Sequence, residues 1–141
     1  MVGVIIVAHM QLAEALLKVA QLITSSTLDN FTAVSINLDD NPDHAHEKLL
    51  KAVKVVDKGD GVIIIVDMFG GTPSNLSLSL LARGKVEIVT GANLPMIIEA
   101  ASNSQKVSLN TLVNMLTSSG QREIRSAGEV LDKKVAERKG R

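Results

Sequence analysis

Residues Gly61–Asn75 read GVIIIVDMFGGTPSN. Val62 to Val66 are five β-branched residues in a row, the composition of a short strand covered on both faces. The run ends in an acid, Asp67, and then in the turn Gly70-Gly71-Thr72-Pro73. In TPSNLSLSLLARG, Thr72 reads as an N-cap, Pro73 as the first helical residue and Gly84 as the residue past the C-terminus. A buried strand, a glycine turn and a helix make one half of a βαβ unit.

The same alternation runs outward in both directions. Upstream, VGVIIVAH is a buried strand, and QLAEALLKVAQLI switches to helical spacing. Leu12, Ala15, Leu16, Val19 and Ile23 fall on one face of that helix, the face expected to meet the core, with Glu14 and Lys18 paired outside. FTAVSINL is a second strand. NPDHAHEKLLKAVKVVD is a second helix, capped by Asn41, with Pro42 at its first position and Asp43 and Glu47 near its positive end. Downstream, KVEIVTG is a fourth strand, and NLPMIIEAAS and SLNTLVNMLTSSG are two more helices.

The order β-α-β-α-β-α-β-α-α implies an α/β protein with a doubly wound, mainly parallel sheet and helices on both faces. The expected strand order is 2-1-3-4, with a fifth strand at the edge near Glu123–Ala127. Residues 1–131 are expected to form a single domain, and 132–141 a charged, frayed tail.

Composition narrows the function. The 141 residues are 45% hydrophobic, enough for one compact core. Lys+Arg and Asp+Glu both number 15, without the basic excess of a nucleic-acid binder. Phe31 and Phe69 are the only aromatic residues among Phe, Trp and Tyr, too few for base stacking. There is no cysteine, which removes disulfides, thiolate metal sites and thiol catalysis. The apolar runs are too short for a membrane span, and no signal peptide is expected, so the expected location is the cytoplasm.

Open parallel sheets bind ligands beyond the carboxyl ends of their strands, where the winding reverses. In the order 2-1-3-4 that point lies between strand one, which ends in His9, and strand three, which ends in Asp67. A histidine or an acid at a strand end is commonly structural on its own. Together at the switch point they suit nucleophilic chemistry. A carboxylate accepting from Nδ1–H fixes the tautomer and leaves the Nε2 lone pair free. The turn at Gly70, Gly71 and Thr72 lets backbone approach a ligand and offers N–H groups and a hydroxyl to an anion. The turn lacks the lysine and glycine spacing of a nucleotide P-loop. No metal and no cofactor is expected: His44 and His46, two residues apart, diverge by about 200° on a helix. TGANLPM after strand four adds Asn93 as a candidate lining residue of the crevice, beside Met10 and Phe69.

The segments VIIVAH, VDMFGGTPSN and TGANLPM resemble the mannose/fructose-type IIA component of the bacterial phosphoenolpyruvate-dependent sugar phosphotransferase system, over roughly residues 2 to 127. The resemblance implies a cytoplasmic phosphoryl carrier. His9 would accept a phosphoryl group at Nε2 from the phosphocarrier protein HPr and pass it to a histidine of a separate IIB component in sugar transport, or would act in phosphotransferase-linked regulation. Asp67 would hold Nδ1, and Gly70, Gly71 and Thr72 would receive the phosphoryl oxygens. It also implies a homodimer that exchanges an antiparallel C-terminal edge strand, for which Glu123–Ala127 is the candidate. One residue departs from the family pattern: Met10 stands where glycine usually follows the active histidine.

Three other readings compete. The phosphocarrier subunit of dihydroxyacetone kinase shares the fold and the strand-one histidine but lacks the Phe-Gly-Gly-Thr-Pro pattern. A small tetrapyrrole metal chelatase would need a second ligating histidine at the crevice. A non-catalytic binding module would leave His9 structural.

Overall fold

A computed structural model describes residues 1–140. Four strands form one parallel sheet in the order β2-β1-β3-β4, with β1 Gly3–His9, β2 Phe31–Ile36, β3 Val62–Val66 and β4 Val86–Thr90. Six helices accompany them: α1 Leu12–Thr24, α2 Pro42–Val56, α3 Thr72–Leu78, α4 Leu94–Asn103, α5 Leu109–Arg122 and α6 Ala127–Lys139. The expected order and the two-sided helical cover are both present.

The period-two alternation of each strand divides the core. Val4, Ile6 and Ala8 of β1 and Ile63 and Ile65 of β3 face a layer that includes residues of α1, α4 and α5. Ile5, Val7, Val62, Ile64 and Val66 face the other, against α2 and α3. Every residue of β3 is fully buried. Burying one such side chain contributes on the order of 1.5–3 kcal/mol, which explains why strand three reads so clearly in the sequence.

Register then places the site. Val7 is opposite Val66 in the β1–β3 ladder, and His9 is opposite Ile36 in the β1–β2 ladder. His9 and Asp67 therefore leave neighbouring strands side by side.

Four expectations need correction. In α1 the buried residues are Ala13 and Ala20, while Leu12, Val19 and Ile23 are largely exposed. The helix carries two apolar stripes, and the chain covers the one running through Ala13, Leu16, Leu17 and Ala20, so of the expected face Leu16 does pack against the core. Helix α3 is short: it is capped at Gly71, not Thr72, and ends at Leu78. The chain must reverse at once, because Ala82 pairs antiparallel with Val86.

No fifth strand forms among the described residues. Residues 123–126 are a connection in which Arg125 reaches Glu123 at 3.1 Å. The expected frayed tail is α6, which starts where Ser126 caps the Glu129 N–H. Ser126-x-x-Glu129 has capping-box spacing, a signal the charge density of the tail obscured. No residue of α6 is buried, and the helix makes no extensive contact with any other element.

Candidate active site

The β1 and β3 ends converge on one carboxylate. Oδ2 of Asp67 accepts the backbone N–H of His9 at 3.0 Å and lies 2.6 Å from His9 Nδ1. Oδ1 accepts the Met68 N–H at 2.9 Å. Burial pushes the Asp67 pKa up, but the hydrogen bonds from the His9 backbone and ring, the charge of His9 and the Met68 N–H together hold it below the usual value. An ionised carboxylate can only accept hydrogen bonds. Nδ1 is therefore the donor, and in the neutral ring Nε2 carries the free lone pair.

The two glycines of the turn do different work. Gly70 has φ +88°, a conformation glycine adopts without steric cost. Gly71 has an ordinary extended φ of −85°, and its value lies in what it lacks. A Cβ there would stand 3.1 Å from His9 Cε1 and 3.5 Å from Nε2. The bare backbone thus faces the reactive edge of the ring. The first α3 amide to find a carbonyl is Asn75, on Gly71 at 3.0 Å; the N–H groups before it lack helical partners.

His9 and Thr72 line one cavity of about 190 Å³ with Ile36, Asn37, Leu38, Asp40, Pro42, Ala45 and Leu76. The structure thus gathers His9, Asp67, Gly71 and Thr72. Sequence reasoning missed the β2–α2 side, although β2 lies next to β1 and its loop had to border the same crevice.

Met10 and Phe69 are exposed beside the site. Met10 sits at φ +51°, the left-handed region that favours glycine, which accounts physically for the glycine expected there. Asn93 is engaged elsewhere. Its Oδ1 caps α4 at Met96 N (3.1 Å) and its Nδ2 donates to Gly120 O (3.0 Å). It lines a separate cavity with Thr90 and Ile124 that does not include His9.

His46 lines a hollow with Asp43 and Thr72. Among the described residues, no three His, Cys, Asp or Glu side chains converge to hold a metal ion. No helix among them is long and apolar enough to cross a membrane.

Fold and site together define a doubly wound α/β protein with an aspartate-oriented histidine at its switch point. The chain belongs to the family described as PTS system fructose IIA component, which matches residues 3–117. It is 30% identical over 134 residues to the fructose-specific EIIA component of the phosphotransferase system of Bacillus subtilis, covering 94% of this chain and 91% of that one. It is 30% identical over 114 residues to the sorbose-specific EIIA component of Lacticaseibacillus casei, covering 80% and 81%. Among solved structures, it resembles the mannose/sorbose-specific IIA subunit of Enterococcus faecalis, with a TM-score of 0.79, 28% identity and coverage of 89% and 93%. Phosphoryl transfer in sugar transport is the task of this family.

Proposed function

We propose that His9 is the phosphoryl carrier: Nε2 takes a phosphoryl group from phospho-HPr and passes it to a histidine of a separate IIB component. The observation that carries this is the 2.6 Å contact of Nδ1 with Asp67, which presents Nε2 as the nucleophile. The phosphorus–nitrogen bond of the donor breaks as the bond to Nε2 forms, and the donor nitrogen keeps the electron pair. The proton stays on Nδ1, where Asp67 stabilises the imidazolium character of the product.

Thr72 and the N–H groups of the turn receive the phosphoryl oxygens. Two facts support this: Thr72 borders the cavity that holds His9, and Gly71 lies against Cε1 and Nε2. The reaction uses no cofactor and belongs in the cytoplasm. The outer edge of β4, which carries only the Ala82–Val86 bridge among the described residues, is where an exchanged strand of a homodimer would add.

Intact-protein mass spectrometry after incubation with phosphoenolpyruvate, Enzyme I and HPr tests the reading. One acid-labile phosphoryl group is expected on the protein and none on His9→Ala. Full labelling of the variant would assign the role to another residue.

A further inference from the structure

The chain has no cysteine, so its five methionine thioethers are its only sulfur. Without thiols, they are the first groups that a two-electron oxidant attacks. They are unequally placed. Met96 is 4% exposed, inside the core, and Met115 is half-buried. Met1 borders a cavity with Asp60 and Lys106 at the amino end of the sheet. Met10 and Met68 are 57% and 54% exposed beside the site.

Met68 differs from the others in its neighbours. Its Cγ lies 3.6 Å from the point that a Cβ on Gly71 would occupy, and the same point is 3.1 Å from Cε1 and 3.5 Å from Nε2 of His9. The sulfur, one bond beyond Cγ, is therefore a neighbour of the turn that faces the reactive edge of the ring. The backbone there is fixed as well, since the Met68 N–H donates to Asp67 Oδ1 at 2.9 Å. A thioether is soft, apolar and a weak acceptor. In that state it leaves the donors of the turn to an incoming phosphoryl group.

We infer that Met68 is an oxidation site at which a hypohalous acid switches phosphoryl transfer off. This rests on the phosphocarrier reading and adds a means of regulation to it. With hypochlorous acid, the sulfur takes up one oxygen and loses two electrons, chlorine leaves as chloride, and a proton passes to water. The product sulfoxide is polar, with negative charge gathered on its oxygen. Beside Gly71 that oxygen competes for the donors that would hold phosphoryl oxygens, and it sets like charge next to the arriving group. The half-exposed side chain has room for the added oxygen, and Met96 is shielded by the core, so the fold persists. The change is also reversible, because methionine sulfoxide reductases return the thioether at the expense of a thiol reductant.

The test is the rate of phosphoryl transfer from phospho-HPr before and after stoichiometric hypochlorous acid, quenched with free methionine. Wild type, Met68→Leu and Met10→Leu are each compared with their own untreated rate, and peptide mass spectrometry places the added oxygen. The treated wild type should carry oxygen on Met68, keep its melting profile and transfer about tenfold more slowly. Methionine sulfoxide reductase should restore the rate, which separates the sulfoxide from damage to the His9 ring. Met68→Leu should keep its rate through the treatment, and Met10→Leu should lose it as the wild type does. A Met68→Leu protein inhibited as strongly as the wild type, or a wild type oxidised at Met68 that transfers at its untreated rate, would overturn the switch and leave the phosphocarrier reading standing. An untreated wild type that takes no label would overturn both.

Discussion

Oδ2 of Asp67 holds His9 twice, through the ring Nδ1 at 2.6 Å and through the backbone N–H at 3.0 Å. One carboxylate oxygen thereby fixes both the position of the residue and the tautomer of its ring. The backbone bond sets where β1 ends; the ring bond sets which nitrogen reacts.

Asp67→Asn separates these roles. The amide oxygen can still accept the backbone N–H, so the fold should persist. The neutral amide no longer stabilises positive charge on the ring, and in the flipped orientation, which gives up the backbone bond, its NH2 donates to Nδ1 and favours the wrong tautomer. Phosphoryl transfer to His9 should fall by roughly two to four orders of magnitude. Stopped-flow transfer rates would check this, with 15N NMR of the ring reporting the tautomer. An unchanged rate would remove Asp67 from the mechanism.

Acid should weaken the same contact. The folded-state pKa of Asp67 is lowered, so its contribution to stability is fully present above the unfolded value of about 3.9. It is lost as pH falls below that value and through the folded-state pKa. Urea unfolding of the wild type and Asp67→Asn, compared from pH 7 to pH 3, should show the wild-type advantage shrinking below about pH 4. An advantage that held constant across that range would contradict the assignment.

Substitutions at the two glycines should fail in opposite ways. Gly71→Ala keeps an allowed backbone but pushes a methyl against Cε1 of His9. Stability should change little, while transfer should slow sharply. Gly70→Ala meets nothing within 4 Å but must hold φ +88°. It should lose about 1–2 kcal/mol of stability and keep more of its activity. Thermal melts and labelling rates on the pair distinguish close approach from backbone conformation.

Met10→Gly should stabilise. The left-handed conformation of Met10 costs about 1–2 kcal/mol, and the added freedom of glycine in the unfolded chain offsets roughly 0.5–1 kcal/mol of the relief. A net gain of several tenths of a kcal/mol up to about 1 kcal/mol is expected by urea unfolding. A loss would mean that the Met10 side chain contributes packing that its exposure does not reveal.

The sequence showed most clearly what hydrophobic continuity and turn chemistry encode. The run of Val62–Val66, the break at Asp67 and the proline-marked helix starts were enough to place His9 beside Asp67, because the order of a doubly wound sheet leaves few alternatives. The spacing of α1 was misleading, since both of its stripes are apolar and period alone does not say which one the chain covers. The length of α3 was overestimated because the Ala82–Val86 pairing that cuts it short lies beyond the helix. Asn93 sits on the correct edge of the sheet, yet its amide is engaged by Met96 and Gly120. A strand's end locates a residue; the partners of its side chain decide whether it is free to meet a ligand.

Helix α6 buries none of its residues. A helix of that length has little intrinsic stability in water without packing. Its melting is thus governed by a local helix–coil equilibrium, separate from the unfolding of the sheet. Amides of Val130 to Lys139 should exchange with deuterium far faster than those of β1 and β3, at rates insensitive to anything that stabilises the core. On heating, part of the helical signal should fade before the core gives way, so a single two-state curve would misstate the stability of the domain.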